Sequence, residues 1–322
     1  MTGDRKLVQV VVPAYNESGN IAELARRLGA VFDAEPAYDF EALIIENGSV
    51  DDTYEQLLAA HDRDPRIKIV QLSRNFKMDG GLTAGLSIAT GDAVVLMTAD
   101  LQDPPEVIPT FLRKWEEGYE NVYGIVTKRT GTNPVRRMNS QLFYSVAGRL
   151  TDGTITRNAS DFRLLDRAAY ESVRTLDERN RFVRGLVSWV GFRSIGIPMV
   201  REPRFAGSSK AHTFKVLDLG MKGIFAHSYV PLRLISVMGF VVSLIAALAF
   251  IGFLVRTFAF GVPFDGFGTI VSVMLIGFGA LFLLLGVLGE YIGLIYEEVK
   301  QRPNFIIART VGLAADARPR DV

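Results

Sequence analysis

Apolar and polar positions follow three regimes along the chain. Up to residue 97, short apolar runs alternate with segments in helical spacing. Around residues 213–229 apolar and basic positions interleave, and beyond residue 233 two long stretches carry no charge. The first run, Val8-Gln9-Val10-Val11-Val12, is nearly continuous and ends at Pro13; its β-branched residues suit a parallel strand buried on both faces. Residues 21–32 follow with helical spacing, then 40–45 as strand, 53–60 as helix, 67–72 as strand, 80–89 as helix and 93–97 as strand. This alternation predicts right-handed crossovers and a mostly parallel sheet. Ligands of such sheets sit beyond the carboxyl ends of the strands. Those ends carry Pro13-Ala14-Tyr15-Asn16-Glu17, Glu46-Asn47-Gly48-Ser49, Ser73-Arg74-Asn75-Phe76 and Thr98-Ala99-Asp100-Leu101-Gln102-Asp103, four polar segments expected on one edge.

The uncharged stretches are residues 234–255 and 267–289, 22 and 23 residues long. At 1.5 Å per residue each helix would be about 33 Å, enough to cross a hydrocarbon core of about 30 Å. The connection, residues 256–266, contains Gly261-Val262-Pro263 and predicts a hairpin with both ends on one side. Arg233 precedes the first span and Lys300, Arg302 and Arg309 follow the second, against Arg256 in the loop. The positive-inside rule then puts residues 1–230 and the tail in the cytoplasm, with the hairpin in the cell (inner) membrane. Residues 213–229 set Phe214, Leu217, Met221, Ile224 and Phe225 among Lys215 and Lys222, the pattern of an interfacial helix or of one packed on the soluble domain. Residues 290–300 continue the second span, and a polar tail closes the chain. The expected organisation is a soluble domain over 1–212, an interfacial helix over 213–230, two spans within 231–289, and a juxtamembrane helix and tail over 290–322.

Composition supports a hybrid. Of 322 residues, 48% are hydrophobic and 22% charged, and the mean hydropathy is +0.20, too apolar for an ordinary soluble enzyme and too charged for a pure membrane bundle. A net charge of +1 gives no global field for nucleic acid, so an anion site must be local. Absence of cysteine excludes a disulfide framework, a thiolate metal site and a cysteine nucleophile. Three scattered histidines, His61, His212 and His227, disfavour a zinc site. Neither a G-x-x-x-x-G-K-[ST] loop nor a G-x-G-x-x-G after the first strand is present, which disfavours P-loop NTPases and dinucleotide oxidoreductases. Residues 1–6 are polar and lack the apolar core of a signal peptide.

Asp100 and Gln102 can direct two oxygens to one point, with Asp103 nearby. Hard oxygen donors of this kind suit Mg²⁺ or Mn²⁺ completed by water and substrate phosphates, although strand-end carboxylates equally serve as turn caps. Asp161, in Ser160-Asp161-Phe162-Arg163, is a candidate general base; an ion pair with Arg163 or a helix cap is the commoner use of such a residue. Arg129, Arg136, Arg137 and Arg149, with Ser140, surround an expected helix over 135–150 that could meet a lipid phosphate or simply face solvent. Arg204, Gly207, Ser209 and Lys210 form a loop whose amides and cations could clasp a phosphate, or a plain linker.

The chain resembles the inverting glycosyltransferases of family 2 that make polyprenyl-phosphate sugars, such as dolichol-phosphate mannose synthase and the bacterial polyisoprenyl-phosphate glucosyltransferases. The likeness runs from Val10-Val11-Val12-Pro13-Ala14-Tyr15-Asn16-Glu17, through Ser73-Arg74-Asn75-Phe76, Leu82-Thr83-Ala84-Gly85-Leu86, Ala99-Asp100-Leu101-Gln102-Asp103-Pro104-Pro105-Glu106 and Pro231-Leu232-Arg233, to the segment from Gly289-Glu290-Tyr291 to Lys300-Gln301-Arg302-Pro303. It implies a GT-A catalytic domain, Rossmann-like with a mostly parallel sheet, followed by a two-helix transmembrane hairpin with flanking interfacial helices. It further implies that Pro13, Tyr15 and Glu17, with Glu46 and Asn47, hold the nucleotide. Asp100 and Gln102 match the metal and pyrophosphate positions, with Mg²⁺ or Mn²⁺ as cofactor, and Asp161 the carboxylate acting on the acceptor. Arg129, Arg136 or Arg137, Ser140, Arg204, Ser209 and Lys210 fall where the lipid phosphate or donor pyrophosphate binds.

Three positions depart from the family pattern. Thr98-Ala99-Asp100 stands for Asp-Ala-Asp, Glu46-Asn47-Gly48-Ser49 for Asp-Asp-Gly-Ser, and Gly207-Ser208-Ser209-Lys210 for Gly-Glu-Ser-Lys. Weaker cation binding is the consequence expected of Thr98. The implied partners are a nucleotide sugar, with UDP-glucose favoured over GDP-mannose or another UDP-sugar, a polyprenyl phosphate and the bilayer. Two spans alone bury little interface, which leaves room for a homo-oligomer. A processive glycan synthase would need more spans and a further acceptor motif; a degenerate nucleotide-sugar-binding scaffold, with Thr98 as its lesion, is the rival outside enzymology.

Overall fold

The computed structural model describes residues 5–129, 159–203, 205, helical positions scattered between 237 and 259, and residues 266–313. Two compact units emerge, residues 1–216 with 302–322, and residues 217–301. In the first, the strands are β1 (Lys6–Ala14), β2 (Tyr38–Glu46), β3 (Ile67–Leu72), β4 (Ala93–Leu96), β5 (Asn121–Arg129), β6 (Ala159–Asp166), β7 (Ser194–Arg201) and β8 (Ile307–Val311). They form one sheet in the order β7-β5-β6-β4-β1-β2-β3-β8. The helices are α1 (Ser18–Ala34), α2 (Thr53–Arg63), α3 (Lys77–Ile88), α4 (Ile108–Glu116), α5 (Arg167–Arg174) and α6 (Val183–Trp189).

Alternation within the apolar strands builds two cores. Val8, Val10 and Val12 of β1, Ala42 and Ile44 of β2, and Ala93 and Val95 of β4 meet Ile21, Leu24 and Leu28 of α1, Leu57 of α2 and Phe111 of α4. Val11, Leu43, Ile45, Val94 and Leu96 turn to the other face, against Leu82 and Leu86 of α3, Tyr170 of α5 and Leu186 of α6. Helices on both faces are what near-continuous apolar strands require. Burying each of the valine, leucine, isoleucine and phenylalanine side chains among them contributes about 1.5–3 kcal/mol.

The sheet is mixed. β1 runs parallel to β2 and β4, β2 parallel to β3, and β5 parallel to β7; β6 is antiparallel to β4 and β5, and β8 antiparallel to β3. The expectation of a mostly parallel sheet describes its first four strands, and the later ones are inserted against them. Against the helix expected over 80–89, α3 starts one turn earlier, at Lys77. Pro105–Val107 form a short 3-10 turn before α4, and Glu106 is spent on a two-point ion pair with Arg27 at 2.8 and 2.5 Å.

In the second unit, Phe267–Lys300 is one continuous helix, α7. Among the described residues it is the one helix long and apolar enough to cross a membrane, and the qualifying stretch, Ile276–Lys300, is not buried. Ile276, Phe282 and Ile292 are among its exposed apolar side chains. The juxtamembrane segment 290–300 thus belongs to the same helix as the second apolar run. The described positions of the first run are helical; the bend expected between the runs lies outside the described residues. The segment after α7, expected as a tail, supplies β8 to the sheet of the first unit.

Candidate active site

The topology gives the sheet one functional edge. Parallel alignment sets the carboxyl ends of β1, β2, β3 and β4 side by side, as expected. β5 and β7 also end there, while antiparallel β6 and β8 begin there. Asp161 lies two residues before Arg163, the partner of Leu96, and so stands at the same edge as Thr98 and Asp100.

Side chains tie the loops at this edge together. Asn16 takes a left-handed backbone with φ 53°; its N–H donates to Ser49 Oγ at 3.0 Å and its Oδ1 accepts from Val50 N at 2.9 Å. Glu17, at the start of α1, donates its N–H to Thr53 Oγ1 at 2.9 Å and accepts from Asn20 Nδ2. Glu46 is buried, with Oε1 accepting from Ser49 N at 2.5 Å. Its Oε2 is also buried and has no hydrogen-bond partner among the described residues. Asn47 bridges to the start of α3: Oδ1 accepts from Phe76 N at 2.9 Å, and Nδ2 donates to the Lys77 carbonyl at 2.7 Å. Pro13 is buried against α3, where a Cβ on Gly81 would lie 2.9 Å from the proline Cβ. Pro13 and Asn47 therefore shape the walls of this edge, whatever else they touch.

At the end of β4, Thr98 Oγ1 donates to Asp100 Oδ1 at 2.7 Å, and Gln102 N reaches the same oxygen at 3.3 Å. The Thr98 hydroxyl, where the resemblance leads one to expect a carboxylate, thus orients Asp100. Leu101 turns the chain with φ 56°. Asp103 is fully buried behind this turn, accepting from Ser160 Oγ at 3.2 Å and from Arg201 Nη2 at 3.1 Å. Burial pushes its carboxyl up against the pull of Arg201. No group of three or more His, Cys, Asp or Glu gathers for a metal among the described residues. Asp100 and Gln102 are oxygen donors of the kind a hard cation takes when its remaining ligands come from water and a diphosphate.

Asp161 pairs with Arg184 of α6, at 2.7 and 2.6 Å. The expected neighbour Arg163 instead turns inward: it is buried, donates to the Ser160 carbonyl at 3.1 Å, and is pushed down to about 10 by burial. Around these residues, sequence reasoning missed Arg184, Arg201, Ser160 and Asp79. Arg184 and Arg201 lie far from Asp161 in sequence, and no local pattern marks them; the docking of α6 against α3 brings Arg184 to Asp161, and the pairing of β5 with β6 and β7 brings Arg201 to the same edge. Arg129 ends β5 opposite Arg201 in register. Arg136, Arg137, Ser140, Arg204, Ser209 and Lys210, with the expected helices over 135–150 and 213–229, lie outside the described residues.

Comparison with known proteins places this geometry. Residues 9–174 match the domain described as glycosyl transferase family 2. The chain is 39% identical over 307 residues to an uncharacterized glycosyltransferase of Synechocystis sp., covering 95% of this chain and 96% of that one. It is 40% identical over 313 residues to the uncharacterized glycosyltransferase YkcC of Bacillus subtilis, covering 97% and 96%. The bactoprenol glucosyl transferase of Shigella phage SfII is 36% identical over 304 residues, covering 94% and 98%. A doubly flanked sheet with a polar carboxyl edge, matched by this domain over half the chain, identifies the chain as a glycosyltransferase of family 2.

Proposed function

We propose that the chain transfers a sugar, glucose from UDP-glucose foremost, to the phosphate of a polyprenyl phosphate, with inversion. The observation that carries this reading is that Asp100, in the loop after β4, and Asp161, near the start of β6, stand on one edge of the sheet, where β5 and β7 end at Arg129 and Arg201. The bactoprenol glucosyl transferase similar to this chain over nearly its whole length supports the acceptor. The long exposed apolar helix supports a membrane setting, with the catalytic domain cytoplasmic by the distribution of basic residues.

In this reading the donor nucleotide lies across the loops after β1 and β2, with Tyr15, Glu17 and Glu46 facing it. A base N–H would satisfy the buried Glu46 Oε2. Asp100 and Gln102 would hold Mg²⁺ or Mn²⁺, which when bound neutralises charge developing on the departing diphosphate. An oxygen of the lipid phosphate attacks the anomeric carbon while the bond from that carbon to the diphosphate oxygen breaks. The nucleophile is already anionic at neutral pH, so positioning and charge compensation matter more than proton removal. Arg129, Arg136 or Arg137, Ser140, Arg204, Ser209 and Lys210 are assigned to the two phosphate groups.

Purified protein in detergent, given polyprenyl phosphate, Mg²⁺ or Mn²⁺ and a panel of UDP- and GDP-sugars, tests the reading by mass spectrometry of the lipid fraction. One donor is expected to yield lipid-phosphate sugar. Transfer from none, with nucleotide still bound, would contradict it in favour of a binding scaffold.

A further inference from the structure

The reading of Asp161 as the carboxylate at the acceptor leaves a physical difficulty: a bare carboxylate beside an incoming phosphate repels it. The structure supplies an answer, which rests on that same reading. Both Asp161 oxygens are engaged by a single guanidinium. Arg184 Nε donates to Oδ1 at 2.7 Å and Nη2 to Oδ2 at 2.6 Å. The two side chains are 32% and 21% exposed, so the pair is only partly reached by water. A two-point fork fixes the plane of a carboxylate as well as its place.

Arg184 is itself held. It sits in the first turn of α6, whose leading amide, Val183 N, donates to Asp79 Oδ1 of α3 at 3.0 Å. The orientation of Asp161 therefore depends on how α6 docks on α3, the helix that Asn47 joins to the end of β2.

We propose that Arg184 is a positioning residue for sugar transfer, fixing the Asp161 carboxylate and offsetting its charge so that an anionic acceptor meets half of an ion pair. The surroundings agree in sign. Burial works against ionisation of Asp161, but Arg184, with Arg163 on the same strand and Arg201 on β7, outweighs it and holds the carboxyl below the usual range. Asp79 on α3 is the opposing charge that faces the pair. A carboxylate held this way is a poor proton acceptor and a good fixed charge, which suits a nucleophile that has no proton to lose.

The test compares full-length wild type, Arg184→Gln, Arg184→Lys and Asp161→Asn with UDP-glucose, Mg²⁺ and polyprenyl phosphate, measuring kcat and both KM values from pH 5 to 9. Binding of UDP, read by thermal shift, checks that each variant folds. Arg184→Gln is expected to lower kcat about 100-fold, with donor KM within about twofold and the acid limb of the profile moved to higher pH. Arg184→Lys, which keeps the charge without the fork, should recover about tenfold of that loss. Should the Gln variant fail to fold, the Lys variant carries the test through its raised acid limb. Wild-type kcat and an unmoved acid limb in the folded variants, with Asp161→Asn inactive, would overturn this proposal alone. Full activity of Asp161→Asn, or no product from wild type, would overturn the reading beneath it and the proposal together.

Discussion

Thr98, Asp161 and Asp79 carry the sharpest consequences of single side chains. The Thr98 hydroxyl steers Asp100 from 2.7 Å but brings no charge. Thr98→Asp is therefore expected to lower the Mg²⁺ or Mn²⁺ concentration for half-maximal activity, with kcat rising less than about tenfold. A metal titration of both proteins checks this, and a gain beyond that range would mean that the native site is impaired. Asp161→Asn keeps the shape and removes the charge that Arg184 grips; a kcat loss of about 100-fold or more is expected in product assays. Asp79 behaves differently. Burial, with help from Asp161, pushes its carboxyl up to about 6, above an unfolded value of about 3.9. A folded pKa above the unfolded one means that stability is fully present below the unfolded value and falls as pH rises to about 6. Asp79→Asn preserves an acceptor for Val183 N and cannot ionise. Its thermal stability relative to wild type should improve from pH 5 to pH 8 by on the order of 1 kcal/mol, after allowance for partial solvent exposure. An equal difference at the two pH values would refute the assignment.

Individual elements explain what was legible in the sequence and what was not. β1 to β4 announce themselves because each is apolar on both faces and is followed by a helix in sequence. β6 and β7 mix charges into their length, Asp161 and Arg163 in one and Arg201 in the other, because both reach the functional edge. β8 is short and largely exposed at the sheet's margin, so it carries little periodic signal. It is nonetheless anchored: Ser73 N donates to the Ile306 carbonyl at 2.9 Å, and Phe305 and Ile307 pack on the core that α3 covers. Ending the chain after Pro303 should expose the β3 edge and lower the melting temperature; an unchanged Tm would show that β8 adds nothing. α3 offers a second check. A Cβ on Gly85 would fall 2.2 Å from Val11 Cγ1, a fully buried side chain in the middle of β1. Gly85→Ala is expected to cost about 1–3 kcal/mol by overpacking, measurable as a drop in Tm, whereas at an exposed helix position the same change is favourable.

Across the whole molecule, the sequence marks where the chemistry gathers more clearly than who holds whom. Polar strand ends foretell one edge because parallel strands must end together. The Asp161–Arg184 pair is invisible there, since it depends on β6 running antiparallel beside β4 and on α6 docking against α3. Pro13 and Asn47 likewise read as ligand contacts, and in the fold they also pack and bridge α3. Under the proposed function, the domain with its polar edge serves the nucleotide sugar and the long apolar helix α7 the lipid setting. Following UDP release and lipid-extractable sugar together, from UDP-glucose, as polyprenyl phosphate is titrated onto the purified chain puts that reaction to the test. Equal amounts of UDP and lipid-linked glucose are expected, both rising with the lipid and both lost in Asp161→Asn. UDP release independent of the lipid, or glucose recovered in a water-soluble product, would show that the chain does something else.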